Sequence, residues 1–96
     1  MVEDNGTELD DGGPDADDIR PMSFDIFVLS LNASALLHLG DGGADSALDL
    51  PLARQTIDIL AMIENKTRGN LSGEEERLLH QILFDLRMRY ARKVQR

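Results

Sequence analysis

From residue 23 onward, polar and apolar positions follow the rhythm of helices. Between Leu52 and Lys66, the residues Leu52, Ala53, Thr56, Ile57, Ile59, Leu60 and Ile63 recur every three or four positions. Arg54, Gln55, Asp58, Asn65 and Lys66 fall on the opposite side, as in an amphipathic helix with one buried stripe. A second stripe consists of Leu78, Leu79, Ile82, Leu83, Leu86 and Tyr90. The stretch from Phe24 to Leu39 differs: Phe24, Ile26, Phe27, Val28, Leu29, Leu31, Leu36, Leu37 and Leu39 point in nearly every direction around a helix axis. Its polar residues make two narrow stripes, Asp25 with Asn32, and Ser30 with Ser34 and His38. A helix that is apolar all round is expected to be buried on more than one face.

Local stop and start residues set the boundaries. Ser23 is a natural N-cap for helix 1, and Gly40 supplies the left-handed residue that ends it. Residues 40–50 carry three glycines and three aspartates and read as a flexible connector. They lack the Gly-Lys-Ser/Thr of a phosphate loop, and their negative charge repels phosphate. Helix 2 opens near Pro51, with Asp49 or Leu50 at the cap, because proline lacks the N–H that would be unpaired there anyway. Gly69 or Asn70 takes the next left-handed stop. Ser72-Gly-Glu-Glu then makes a capping box for helix 3, with Glu74, Glu75 and Glu76 at the positive end of its dipole.

The expected fold is all-α: a three-helix domain made of helix 1 and an antiparallel helix 2–helix 3 hairpin, preceded by a disordered acidic tail. The short break between helices 2 and 3 dictates the hairpin. At ~1.5 Å per residue, helix 3 should overhang helix 2 by roughly two turns. That overhang would carry Tyr90, Val94 and most of the terminal cations, either frayed or covered.

Charge divides the 96-residue chain unevenly. Its net charge is −8, yet residues 1–22 hold eight acids against the single base Arg20, whereas residues 23–96 hold ten acids and nine bases. The folded part is thus nearly neutral, and residues 1–22 are a separate acidic tail, too poor in large apolar side chains to offset their ordering entropy. Asp10 to Asp18 lack the ligand pattern and closing Glu of an EF-hand. The absence of cysteine excludes disulfides and thiolate zinc sites. No basic and apolar leader is visible, so a cytoplasmic location is expected, and the sequons at Asn5, Asn32, Asn65 and Asn70 read as chance matches. Helix 1 is shorter than the ~20 residues a bilayer needs and holds Asp25, Asn32 and His38, so no membrane span is expected.

Candidate chemistry is sparse. Ser34 and His38 are four apart, but no third residue orients the histidine and no Gly-x-Ser-x-Gly turn exists. Glu76 and His80 are also four apart, without the Glu-x-x-His spacing and facing carboxylates of bundle metal sites. No catalytic, cofactor-binding or metal residue is therefore assigned. Arg87, Arg89, Arg92, Lys93 and Arg96 could contact nucleic-acid phosphates, with Tyr90 as the only nearby aromatic. The acidic head could also fold back onto this basic end and compete with its ligands.

Three segments resemble a known family: Phe27 to Gly40, Leu52 to Ala61, and Lys66 to Arg89. The strings Ala53-Arg-Gln-Thr-Ile-Asp58 and Lys66-Thr-Arg-Gly-Asn70 are the most specific. The chain resembles, over about Phe24 to Tyr90, a small bacterial family catalogued as the domain of unknown function numbered eighteen forty-four. The resemblance implies a compact helical bacterial protein and brings no activity, substrate or catalytic residue with it. Arg54, Asp58, Arg68 and Asn70 are polar residues within those strings; Arg68 and Asn70 are expected to satisfy carbonyls at the end of helix 2, and the functional alternative is that the four form a candidate partner surface.

Together these features point to a non-enzymatic interaction or assembly module. A small core, an all-apolar helix 1 and an overhanging helix 3 favour a homo-oligomer, most simply a two-fold dimer. Phe27, Ser30, Leu31, Ser34, His38, Tyr90 and Val94 are the candidate interface. An unidentified protein partner is the companion expectation, and a regulator binding nucleic acid through the basic C-terminus is the alternative.

Overall fold

A computed structural model describes residues 21–95. The acidic head up to Arg20, expected to be disordered, and Arg96 of the basic cluster lie outside the described residues. Three helices follow in order, α1 over Phe24–His38, α2 over Leu50–Lys66 and α3 over Gly73–Val94. Each boundary has a local cause. The Ser23 hydroxyl accepts from the Ile26 amide, and the Asp49 carboxylate accepts from the Leu52 amide just before Pro51. The Ser72 hydroxyl accepts from the Glu75 amide at 3.1 Å while the Glu75 carboxylate accepts from the Ser72 amide at 2.8 Å, completing the capping box. Gly40 at φ 80° and Gly69 at φ 86° take the left-handed stops after α1 and α2. Replacing Ser72 by alanine removes one of the two cap bonds. Urea unfolding of Ser72→Ala should show about 1 kcal/mol less stability with an unchanged slope.

Each helix contributes to one core. Val28 and Ala35 of α1 and the following Leu39 meet Ala53, Ile57 and Leu60 of α2 and Leu79, Ile82, Leu83 and Leu86 of α3. Thr56 is the one buried polar residue among those described, and its hydroxyl donates to the Leu52 carbonyl one turn back. Leu52, assigned to the buried stripe from its spacing, remains 42% exposed because it lies in the first turn, at the edge of that face.

Two contacts define the hairpin register. Glu64 faces His80 and, ten residues back along α2, Arg54 faces Tyr90, ten residues on along α3. Continued four residues further, the same register brings the start of α2 alongside Val94. The spare length of α3 therefore falls at its N-terminal end beside the turn, not as a C-terminal overhang. Helix lengths were legible in advance, but register depends on which side chains meet.

Residues 39–49, expected as a flexible connector, fold back as a clamp on the end of α1. The Asp49 amide donates to the His38 carbonyl at 2.7 Å, and Ser46 donates to the Leu37 carbonyl while accepting from the Gly42 amide. A Cβ at Gly42 would sit 2.8 Å from the Leu37 Cα, so only glycine allows this approach. The clamp carries Asp41 to the C-terminal end of α3, where the ends of α1 and α3 and the start of α2 converge. No described helix is long and apolar enough to cross a membrane.

Candidate functional site

The outward side of α1 is the largest unexplained feature of the surface. At 100° per residue, Val28, Ala35 and Leu39 mark the buried side, Ile26, Ala33 and Leu37 lie opposite them, and Leu29 sits at the edge of that outward face, about 100° round from Val28. Ile26 is 54% exposed, Leu29 45% and Leu37 42%, and Met22 continues the strip just before the helix. The first turns of Lys- and Arg-free α1 thus meet solvent with aliphatic side chains, and the nearest formal charge is Asp25, one turn before Leu29 at the margin of the face.

The candidate interface residues are spread around this helix. Phe27 and Ser30 are exposed, whereas Leu31 and His38 are half-buried on the flank toward the core and Ser34 is half-buried. The Ser30 hydroxyl donates to the Phe27 carbonyl at 2.7 Å, so its polarity is satisfied within its own helix. His38 Nδ1 and Asn32 Oδ1 are buried without a hydrogen-bond partner among the described residues. Tyr90 is half-buried against α2 and Val94 is exposed near the end of α3. Sequence reasoning missed Ile26, Leu29 and Leu37 as the outward face. An all-apolar helix has no hydrophobic gradient to say which side turns inward.

The four candidate partner residues separate into two places. Arg54 and Asp58 pair at 3.4 Å, and with Arg87 and Tyr90 they line a small cleft of about 250 Å³ between α2 and α3. Tyr90 first, and Asp58 second, push the Arg54 pKa up by favouring the charged guanidinium. Arg68 and Asn70 sit at the far end of α2, about 15 Å further along the axis. There the Arg68 amide donates to the Asn65 carbonyl and the Asn70 amide to the Thr67 carbonyl, while the Thr67 hydroxyl donates to the Ile63 carbonyl at 2.7 Å. The backbone of these two residues and the Thr67 side chain thus close α2.

Arg68 also lines an open cleft of about 630 Å³ with Glu64, Glu76, Arg77 and His80. The hairpin brings Glu64 Oε2 to 3.9 Å from His80 Nδ1, a pairing that only the register reveals. No group of three His, Cys, Asp or Glu residues gathers closely enough to hold a metal ion among the described residues. Opposite charges alternate around this cleft, which suits interhelical ion pairing.

At the other end of α3, two of the candidate phosphate contacts already have partners. Asp41 accepts from Lys93 Nζ at 3.0 Å and from Arg89 Nη1 at 3.2 Å, and Arg89 Nε also donates to Asp85 at 2.8 Å. The Asp85 hydrogen bond, followed by that to Asp41, raises the Arg89 pKa. Arg87 and Arg92 are exposed.

The Lys93 hydrogen bond above all holds the Asp41 carboxyl below its ordinary pKa; burial, next in size, pushes the other way, and Arg89 adds to the lowering. A carboxylate whose folded pKa is depressed stabilises the fold above the unfolded value, near pH 4, and loses that contribution as pH falls through the folded value. Asp41→Asn should therefore lower stability at pH 7 by under about 1 kcal/mol. Urea midpoints of variant and parent should converge as pH falls below the unfolded value of about 4 and through the lower folded one; a constant gap at every pH would remove the ion pairs from the account.

Fold and surface together define a small all-α, three-helix domain with helix faces and ion-paired clefts as its described features. The chain belongs to the family described as domain of unknown function DUF1844, which matches residues 21–92. That span takes in α1, α2 and nearly all of α3. No curated protein and no solved structure matches the chain.

Proposed function

We propose that this domain is a non-enzymatic helical assembly module that pairs with a second copy of itself through the outward face of α1. The observation that carries this reading is the row of exposed aliphatic residues on α1, opposite its buried side. A second copy fits that face for three reasons. The face has only Asp25 at its margin, and residues 23–96 hold ten acids against nine bases, so two folded parts scarcely repel. Ser30 and Ala33 lie midway between Ile26 and Leu37, and small residues at a crossing let two helices approach closely. In an antiparallel two-fold arrangement Ile26 of each copy meets Leu37 of the other, the self-complementary pattern of a two-fold interface. With Met22 and Phe27 at its edges, the face offers on the order of 500 Å² per copy, near the ~1,000 Å² total a specific interface requires.

The nucleic-acid alternative draws less support, because Arg89 and Lys93 are engaged by Asp41 and Asp85. Sedimentation equilibrium at micromolar concentration tests self-association directly. The expected result is a reversible dimer with little dependence on salt, since apolar contact is screened far less than charge contact. A monomer throughout that range would end the proposal.

A further inference from the structure

The outer side of α3 carries a second exposed apolar strip that self-association through α1 does not use. Phe84 is 63% exposed and Met88 45%, and with exposed Ala91 they fall at intervals of four and three, on one helix face pointing away from Leu79, Leu83 and Leu86. Arg87 and Arg92 lie roughly 70° to either side of that strip at 3.6 residues per turn. An aromatic and a methionine between two exposed guanidiniums make a surface for a segment with one apolar side chain among several carboxylates. Arg89 and Lys93, one turn apart and held by Asp41, are already occupied, so the whole basic end is not equivalent.

This chain contains such a segment. In its first 20 residues Leu9 is flanked by Glu8, Asp10 and Asp11. We propose that the Phe84–Met88–Ala91 face of α3 is the docking surface for the chain's own acidic head, with Leu9 on the apolar strip and Glu8, Asp10 and Asp11 beside Arg87 and Arg92. Geometry permits this within one copy. The head joins the domain at the start of α1, whose other end meets the C-terminal end of α3, so it must run back about the ~22 Å length of α1. The 12 residues from Leu9 to Pro21 reach up to about 40 Å when extended. A tether of that length supplies an effective concentration of order millimolar, so even a contact with Kd near ~1 mM forms about half the time. The consequence is self-masking: the head shields the α3 face, and a stronger acidic-apolar partner gains the face by displacing it.

The test uses the full chain, which has no cysteine of its own. A nitroxide is attached at Thr7→Cys and relaxation of backbone amides is measured by NMR. The amides of Phe84, Arg87 and Met88 should relax at least about two-fold faster than that of Met62 on α2, and the excess should vanish when salt rises from about 0.05 M to about 0.5 M. Combining Leu9→Ser with Glu8→Gln, Asp10→Asn and Asp11→Asn in the same labelled chain should abolish it, and these residues lie outside α1, α2 and α3, so circular dichroism of the three-helix domain should be unchanged. Equal enhancement at Met62 and Phe84, or an excess that survives those four changes, overturns the proposal. So does an excess that appears in an equal mixture of spin-labelled and separately isotope-labelled chains, because the head would then be reaching from another copy.

Discussion

Leu86→Ala should cost about 3 kcal/mol and leave much of the population unfolded at room temperature. Leu86 is fully buried and meets α1 and α2 residues in the common core. Truncation removes three methyl or methylene groups' worth of burial and leaves a cavity that two neighbouring helices cannot fully close. A single core in a domain of this size rarely supplies more than ~3–5 kcal/mol, so one such loss is comparable to the whole. Far-ultraviolet circular dichroism against urea concentration measures it. Phe84→Ala is the internal comparison: it removes a larger side chain from the same helix, yet Phe84 is 63% exposed, and its cost should stay within about 0.5 kcal/mol. If the two variants lose equal stability, the assignment of inner and outer faces on α3 is wrong.

The second large effect belongs to Leu29→Glu. In a single copy this residue is 45% exposed, so a carboxylate there reaches water and the fold should be unchanged by circular dichroism. In a two-fold pair, the same substitution brings two negative charges into an apolar seam, one from each copy. Burying unpaired charge is costly, and the dimer dissociation constant should rise at least ~100-fold, or about 2.7 kcal/mol. Sedimentation should show the variant as a monomer at concentrations where the parent is paired. Met62→Glu on the outward side of α2, 53% exposed and far from the proposed seam, should leave the association constant unaltered. Equal loss of pairing in both variants would point to a general charge effect and away from α1.

Much of this domain was legible before any coordinates. The capping box at Ser72 and Glu75, the caps at Ser23 and Asp49 and the left-handed stops at Gly40 and Gly69 are local events, decided within three or four residues. They could be read because the groups that satisfy a helix end lie next to it in the chain. The membership of α2 and α3 in the core was legible for a similar reason, since their apolar residues repeat on one face. The candidate surfaces were much less so. Arg54 with Asp58 and Arg68 with Asn70 looked like one group in sequence, yet the first pair lies in the N-terminal half of α2 and the second just past its C-terminal end. Five terminal cations looked like one cluster, yet Asp41, about 50 residues away in the chain, takes two of them.

The sequence by itself thus determined three helices, their ends and two of their buried faces, because each depends on periodicity or on hydrogen bonds between near neighbours. Only the tertiary structure decided the hairpin register, the use of residues 39–49 as a clamp, and the side of α1 that turns to solvent. These depend on which distant side chains share space. For α1 the reason is plain: with apolar residues on every side, the helix has no preferred face until α2 and α3 cover one, and the face left over is the one proposed here to meet a second copy.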